Sequence, residues 1–305
     1  MQSRPQQSFF KRNSRSAFPA LAIALLLLTG CTSPDPVTRQ NVWNMYSLDD
    51  DIQLGQSALQ ANTEEMQKSD VPINEDAERV AQLNEIVSRI AAASDLPQLP
   101  YTVTLYHTNI VNAAAAPGGS MMVFEGLYDP EEGLVDPNDE DELAAVMAHE
   151  IAHVNCRHVT ERLTRISSAA ILTEVVAAIA QSQGQKDVAD ITRGVFVGGA
   201  AIIVPMYSRK DEAEADRVGL FYMAKAGYDP RAAARLWKKA AERKGDNEST
   251  SIFSTHPADE NRQKELMKLM PYAMEEYARS TGGYPPDYRP GESLPDPETF
   301  DWRVP

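Results

Sequence analysis

Cysteine and long apolar runs are scarce in this chain of 305 residues. Its two cysteines, Cys31 and Cys156, are too few for the disulfide framework that stabilises small secreted domains. The apolar run Ala17–Leu28 is shorter than the roughly 20 residues that a permanent membrane helix requires. Hydrophobic residues make up 43% of the chain and charged residues 24%. These fractions are typical of a globular protein, which at this length forms one large domain or two small ones.

Basic residues are also few. The chain has 29 Lys and Arg against 44 Asp and Glu, a net charge of −15 and a pI of about 4.8. So acidic a protein repels nucleic acid and anionic lipid head groups. We therefore expect no nucleic-acid partner, and we interpret the acidity as an ordinary solvated surface.

Histidine is rarer still, yet two of the five histidines share one motif. The stretch Leu143–Cys156 contains an H-E-x-x-H formed by His149, Glu150 and His153. On a helix, side chains four residues apart project from one face, so two imidazoles can share one Zn²⁺ with Glu150 beside it as general base. The alternative is an ordinary amphipathic helix with two polar histidines.

Catalytic zinc usually has a third protein ligand and a water molecule. His158 lacks the spacing of the third histidine in H-E-x-x-H-x-x-G-x-x-H, since it follows His149 by nine residues instead of ten and no glycine stands at position 156. On a continuing helix it would also lie about 140° around the axis from His153. We therefore interpret His158 as structural, capping the C-terminal half of the helix.

Two glutamates in the segment Ser208–Gly219 compete for the third position. Glu212 shares a helical face with Asp216 and small residues, a surface that can approach another helix. Glu214 shares its face with charged residues and has Arg217 at i,i+3, which indicates a solvated surface pair. Helix geometry thus favours Glu212. Asp216 is predicted to accept a hydrogen bond from a ligand imidazole or, alternatively, to donate a proton late in the reaction. Without the H-E-x-x-H the whole segment would indicate only a charged surface helix.

The N-terminus predicts a secretory signal with a lipidation site. Residues 1–30 have a basic beginning followed by the run Ala17–Leu28, and they end in an L-T-G-C that resembles the bacterial lipobox. Cys31 would then carry acyl chains that anchor the protein; the alternative is an ordinary cleaved signal. Thr32 after the cysteine favours the outer membrane, with the inner membrane as the alternative. Cys156 is expected to be a lone, buried thiol.

The remaining chain predicts a tether at residues 31–45, one domain at 46–280 and a Pro-rich acidic tail at 281–305. A strand is expected at Tyr101–Tyr106. Periodicity and capping signals predict further helices at Leu48–Ser69, Asn74–Ala93, Lys210–Ala226 and Pro230–Arg243, and one that starts after His256-Pro257 and reaches about Arg279. Two apolar segments, Ser167–Gln181 and Ile191–Val204, are interpreted as buried helices flanking the active-site helix, with a membrane-dipping element as the alternative.

A hairpin is predicted at Asn112–Leu127, with Pro117–Gly119 as its turn. Zinc peptidases commonly hold their substrate as an added strand on a sheet edge. Small side chains leave room for such a strand, so the candidate substrate edge consists of Asn112, Ala113, Ala114, Ala115 and Ala116. A purely structural hairpin is the alternative.

These motifs resemble those of the HtpX/BepA/Oma-like gluzincin zinc metallopeptidases. The resemblance covers roughly residues 45–275 and is carried by H-E-I-A-H (149–153), E-x-E-A-D-x-x-G (212–219), N-A-x-A-x-P-G-G (112–119), A-G-Y-D-P (226–230) and S-T-H-P-x-x-x-x-R (254–262). It implies an α+β fold, mainly helical and zincin-like, with a small antiparallel sheet or hairpin beside the active-site helix. It also implies one Zn²⁺ per chain, with Glu212 as third ligand, and endopeptidase activity.

The chain departs from some members of this family. HtpX-like members carry membrane helices and BepA-like members carry helical repeats, and neither is seen here outside the signal segment. The chain therefore looks most similar to the short, lipid-anchored periplasmic members, and the partner-recruitment roles of the repeats are not carried over.

His256 has three interpretations. In BepA-like relatives the matching histidine caps the metal and holds the enzyme latent, so the resemblance implies a fourth ligand or switch. Alternatively, protonated His256 steadies the oxyanion, with Arg262 and Tyr207 as further candidates for that role. The third interpretation is a structural turn with Pro257.

The expected function is zinc-dependent hydrolysis of peptide bonds in unfolded or misassembled envelope proteins. The protein would be lipid-anchored at the periplasmic face of the outer membrane and act in protein quality control, a role inferred by family analogy. The alternative is a non-proteolytic, chaperone-like binding protein with a closed structural zinc site.

Overall fold

The architecture of the chain is given by a computed structural model that describes residues 32–182, 207–242, 256 and 260–291. The described residues fall into two compact units. The larger contains the described residues between 33 and 164 and between 207 and 291, and the smaller contains Thr32 and residues 165–182. The predictions made for the signal segment, Cys31, Ile191–Val204, Pro257 and the last 14 residues concern parts of the chain outside the described residues.

Helices dominate the described residues, and small sheets accompany them, which confirms the α+β prediction. The helices are α1 (Leu48–Lys68), α2 (Ala77–Ala93), α3 (Glu140–Asn155), α4 (His158–Ser182), α5 (Arg209–Lys225), α6 (Arg231–Glu242) and α7 (Glu260–Thr281). The strands are β1 (Thr32–Pro34), β2 (Asn41–Trp43), β3 (Thr102–Tyr106), β4 (Ala113–Ala116) and β5 (Ser120–Phe124).

Helix α3, which carries the H-E-x-x-H, lies in the centre of the larger unit. The Asp139 side chain caps its N-terminus by accepting from the backbone N–H of Glu142, and the acidic first turn complements the helix dipole. Every residue from Glu142 to Asn155 is buried. A helix buried all round must be packed on several sides, and α2, α5, α6 and β4 cover α3.

Arg157 ends the active-site helix, and this corrects the interpretation of His158. Arg157 has the left-handed φ of 55°, which no glycine or proline in the sequence signals. Its guanidinium is held by buried Asp51 of α1, with Nε 2.6 Å from Oδ2. The chain therefore turns after Asn155 and His158 begins α4. The angle of 140° between His158 and His153 assumed a continuous helix and does not apply.

The three-stranded sheet contains the predicted antiparallel hairpin and adds a parallel strand that was not predicted. Its order is β3-β5-β4; β4 and β5 form the predicted antiparallel hairpin, and β3 runs parallel to β5. The second strand of the hairpin, β5, lies between β4 and β3 and runs in the same direction as β3. The turn is correctly predicted: Gly118 and Gly119 adopt φ values of 73° and 100° that glycine tolerates best.

Helix α5 lies directly against α3. A capping box formed by Ser208 and Asp211 begins α5, and Gly227, with φ of 81°, follows its end. A Cβ at Gly219 would lie 3.0 Å from the backbone of Ala148 and His149, so a larger residue would require the two helices to move apart. Helix α7 packs on α5 and reaches Thr281.

The first part of the predicted tail packs against the larger unit. Tyr284 and Tyr288 are partly buried against the core, and Asp287 forms an ion pair with Arg231 in which Nη1 lies 2.9 Å from Oδ2. The chain therefore remains attached to the domain through at least residue 288.

In the smaller unit, residues 165–182 are helical, as predicted for Ser167–Gln181. Ile171, Leu172 and Val176 are exposed, so the expected burial of this segment is not observed for these side chains. None of the helices in the described part of the chain is both long and apolar enough to cross a bilayer.

Candidate metal centre

Four buried side chains converge in the larger unit. Helix α3 supplies His149 and His153, α5 supplies Glu212, and His256 reaches the same point from the segment before α7. One donor atom from each lies within 4.8 Å of all the others. Residues that are 107 positions apart in sequence thus share one site.

The spacing of the donor atoms fits a tetrahedral metal ion. Zinc–ligand bonds of about 2.0–2.1 Å in a tetrahedron separate neighbouring donors by about 3.3 Å. Nε2 of His149 lies 3.0 Å from Nε2 of His153 and 3.5 Å from Oε2 of Glu212. Nδ1 of His256 lies 3.3 Å from Nε2 of His149 and 2.9 Å from Oε1 of Glu212. Three imidazole nitrogens and a carboxylate also suit zinc chemically.

Asp216 contacts His149 on the side away from the donor cluster, and Arg262 in turn binds Asp216. Nδ1 of His149 lies 3.1 Å from Oδ1 of Asp216, which leaves Nε2 facing the centre. Arg262 pairs with both oxygens of Asp216 at 2.6 and 2.7 Å, and its Nη1 lies 2.6 Å from Oε2 of Glu212. The guanidinium also stacks on Trp237, with its carbon 3.4 Å from the ring centroid. Asp216 therefore lies where a partner of a ligand imidazole is needed.

His153 is enclosed on its other side by His158 and Tyr207. The Nδ1 atoms of His153 and His158 are 2.8 Å apart. The ring of Tyr207 stacks on the His153 ring with centroids 3.7 Å apart. Nε2 of His158 lies 3.5 Å from Oε2 of Glu214. Glu214 forms the predicted pair with Arg217, with Nη2 3.5 Å from Oε1, but both side chains are mostly buried and Glu214 contacts the site, whereas a solvated pair was predicted.

Glu150 links the donor cluster to the hairpin. Its Oε2 accepts a hydrogen bond of 2.9 Å from the backbone N–H of Ala115 in β4. Its Oε1 lies 3.3 Å from Nε2 of His256 and has no hydrogen-bond partner among the described residues. Burial raises the pKa of Glu150, although His256 and His149 oppose the shift. A carboxylate with a raised pKa suits a group that takes up and releases a proton near neutral pH.

Negative charge prevails around the donors. Burial alone would raise the pKa of Glu212 and of Asp216, but the neighbouring histidines and Arg262 outweigh it and hold both below their usual range. Burial lowers the pKa of His149, but Asp216 and Glu212 outweigh that effect and raise it to about 9. Three buried carboxylates, counting Glu150, face one guanidinium, and a divalent cation would balance their excess of negative charge.

The structure gathers every residue singled out for the metal or for catalysis. His149, Glu150, His153, Glu212 and Asp216 lie in this cluster together with His256. The substrate-edge residues are close by through Ala115, although β4 is largely buried in this conformation.

The other two candidates for oxyanion support, Arg262 and Tyr207, also lie beside the donor cluster. The guanidinium nitrogens of Arg262 are directed at Asp216 and Glu212, and Tyr207 presents its ring face to His153. Sequence reasoning also missed the contact between His158 and Glu214, because the helix break that creates it has no local signal.

Comparison with known proteins gives a family match and several relatives. The profile described as Peptidase family M48 matches residues 77–270. The chain is 29% identical to the mitochondrial metalloendopeptidase OMA1 of Schizosaccharomyces pombe, over 78% of this chain and 66% of that protein. The chain is 34% identical to the mitochondrial metalloendopeptidase OMA1 of Arabidopsis thaliana, over 58% of this chain and 33% of that protein. It is 26% identical to a putative beta-barrel assembly-enhancing protease of Vibrio cholerae, over 79% of this chain and 49% of that protein. The chain thus spans about one third to two thirds of the length of these relatives.

Proposed function

Because this chain belongs to peptidase family M48, we propose that it is a zinc-dependent endopeptidase with one Zn²⁺ held by His149, His153 and Glu212. The observation that carries the proposal is the position of Glu150, which lies between the donor cluster and the edge strand β4. A metal site with a purely structural role has no need of a buried carboxylate at that point.

Each catalytic group has a defined task in this proposal. Zinc, when bound, supplies Lewis-acid polarisation of the scissile carbonyl and lowers the pKa of a water molecule. Glu150 takes the proton of the attacking water and passes it to the leaving amine. Ala115 orients the carboxylate of Glu150 through its backbone N–H. Asp216 fixes the ring of His149 so that Nε2 faces the metal.

The proposed substrates are extended polypeptide segments. Ala115 donates to Glu150, so the edge of β4 that does not pair with β5 faces this carboxylate. A substrate strand pairing with residues 112–116 would be recognised mainly by its backbone, and the small side chains there impose little selectivity. Such a site favours unfolded or misassembled chains over folded ones.

The proposed location is the bacterial envelope. The lipobox at Cys31 supports anchoring by acyl chains at the periplasmic face of the outer membrane. A relative named for enhancing β-barrel assembly supports a role in envelope protein quality control. Replacement of Cys31 by Ser should move the protein from the membrane fraction to the soluble periplasmic fraction; unchanged fractionation would contradict the lipid anchor.

Glu150→Gln tests the catalytic proposal. The amide preserves size and cannot act as a base, so the variant should bind about one equivalent of zinc yet cleave an unfolded substrate at least 10²-fold more slowly. The comparison is made also with His256→Ala added, since Nδ1 of His256 lies among the donors. Equal rates with and without Glu150 in both backgrounds would refute the enzyme function.

A second function is favoured by the same position of His256. Four protein donors complete a tetrahedron, which is the arrangement of a structural zinc site. A protein closed in this way would bind unfolded clients without cleaving them. Tight zinc binding with no cleavage, even in His256→Ala, would establish this alternative.

A further inference from the structure

The ring of His153 is fixed by more than its place on α3. Its Nε2 lies in the donor cluster, 3.5 Å from Oε1 of Glu212, and its Nδ1 lies 2.8 Å from Nδ1 of His158. His158 is buried, and it begins α4 directly after the turn at Arg157. The turn therefore delivers a second imidazole to the rear of a candidate ligand.

The proton positions in this contact follow from its chemistry. An imidazole that gives its Nε2 lone pair to a metal keeps its hydrogen on Nδ1 and can only donate there. Nδ1 of His158 must then accept, so the neutral His158 ring carries its hydrogen on Nε2. That atom faces Oε2 of Glu214 at 3.5 Å. Nε2 of His158 has no hydrogen-bond partner among the described residues, so Glu214 is the acceptor that would complete a directed chain from His153 through His158 to a carboxylate.

We propose that His158 and Glu214 are positioning residues for the metal ligand His153. The inference rests on the proposed metal site and assigns a role to two residues outside its donor set. By accepting the Nδ1 hydrogen, His158 would fix the tautomer and ring orientation of His153 and make Nε2 a stronger donor. Glu214 would in turn fix the tautomer of His158.

The arrangement around His149 supports this role. His149 meets a carboxylate directly, since its Nδ1 lies 3.1 Å from Asp216. His153 meets one through an intervening imidazole. Both carboxylates, Asp216 and Glu214, come from α5, the helix that also supplies Glu212. Helix α5 thereby provides the proposed donor Glu212 and also the carboxylates that lie behind the two histidines of the motif.

Charge also favours Glu214 as the end of the chain. Arg217 lies 3.5 Å from the other oxygen of Glu214. An ionised, partly buried carboxylate is a strong acceptor for the Nε2 hydrogen of His158.

Metal affinity is the direct measure of this role. Zinc dissociation constants are obtained by competition with a chromogenic chelator for the wild type, His158→Phe, His158→Asn and Glu214→Gln. Loss of a partner behind a metal-ligating histidine typically costs 10–100-fold in affinity, and we expect a weakening of about that size for His158→Phe. Asparagine can place an acceptor near the position of Nδ1, so His158→Asn should recover most of the affinity.

His107→Phe is the matched control, since it makes the same substitution at a histidine that contacts Glu125 instead of the site. It should bind zinc as the wild type does. The proposal also requires that Glu214→Gln weaken binding in the wild-type background and have no further effect in His158→Phe. The visible spectrum of the Co²⁺-loaded protein should change in His158→Phe, since the ligand field depends on the orientation of His153.

These measurements distinguish failure of the positioning role from failure of the proposed metal site. If the wild type binds zinc and His158→Phe binds it equally well, the positioning role is refuted and the proposed enzyme function is untouched. If the wild type binds no zinc, both are refuted. Should His158→Phe fail to fold, Glu214→Gln decides, because normal zinc affinity in that variant would contradict the directed chain.

Discussion

Arg262 balances the charge of the site through one side chain. It contacts both oxygens of Asp216 and one oxygen of Glu212, and it stacks on Trp237. Arg262 and both carboxylates are buried, so none of these charges is well screened by water. Removing the guanidinium would leave two buried carboxylates without their arginine partner, which is far more costly than losing a surface ion pair.

We predict that Arg262→Ala lowers the free energy of unfolding of the metal-free protein by about 3–5 kcal/mol. Urea unfolding followed by circular dichroism measures the change. Arg279→Ala is the control, because Arg279 pairs with Glu276 on the surface and its loss should cost less than about 1 kcal/mol. Similar losses for the two variants would contradict the charge-balancing role.

Cys156 is predicted to be chemically inert in the folded protein. Burial, assisted by the negative charges of Glu214 and Asp35, raises the pKa of its thiol well above the usual value. Because the thiolate is the reactive form, alkylation at pH 8 should proceed at least 10²-fold more slowly in the native state than in denaturant. The measurement uses iodoacetamide and mass spectrometry on a Cys31→Ser chain. Native-state labelling at the denatured rate would show that the thiol is accessible.

At the scale of elements, the contact between α3 and α5 determines the distance between the two histidines and Glu212. Gly219 lies where the helices approach most closely, against the backbone of Ala148 and His149. A methyl group there meets backbone, which cannot rotate aside. Helix α5 would have to move outward and carry Glu212 with it.

We predict that Gly219→Ala destabilises the protein by about 1–3 kcal/mol and weakens zinc binding in parallel. Thermal unfolding and chelator competition measure the two effects. Gly283→Ala makes the same change where an added Cβ meets nothing within 4 Å and should leave zinc affinity unchanged. Normal zinc affinity in Gly219→Ala would mean that the helix contact does not set the geometry of the site.

Helix starts were largely predictable from the sequence, and one helix end was not. Ser47, Asp139 and Ser208 cap helices by their side chains, and local sequence carries that information. Arg157 stops α3 because its guanidinium is held by Asp51, 106 residues away in sequence. The parallel pairing of β3 and β5 is equally non-local, since nothing in a strand's own residues specifies its neighbour's direction.

At the scale of the whole molecule, bound metal should contribute to folding stability. The donors come from α3, α5 and the segment at His256, so the ion would bind the folded chain only. Zinc at a thousandfold excess over its dissociation constant stabilises by about 4 kcal/mol, and we predict that chelation lowers the Tm by about 10 °C. Differential scanning calorimetry with EDTA and after zinc re-addition measures the shift. Glu212→Gln should shift less, and an unchanged wild-type Tm would exclude a tightly bound metal.

The metal donors were more predictable than their surroundings. Helical periodicity alone chose Glu212 over Glu214, because a donor needs a small, buried face. The roles of Arg262 and His158 depend on which distant groups the fold places beside them, and one sequence does not reveal those neighbours. Motifs thus predicted the proposed metal donors better than the residues that contact those donors from outside the cluster.

Glu212, Glu214 and Asp216 alternate along α5, so the spacing between them matters to the site as much as their identity. Glu212, Glu214 and Asp216 are directed to different partners within little more than one turn. Inserting or deleting one residue among them would rotate all later side chains by about 100° and disconnect them together. Substitutions on the outer face of α5 should be tolerated, while changes of its length between residues 212 and 216 should not.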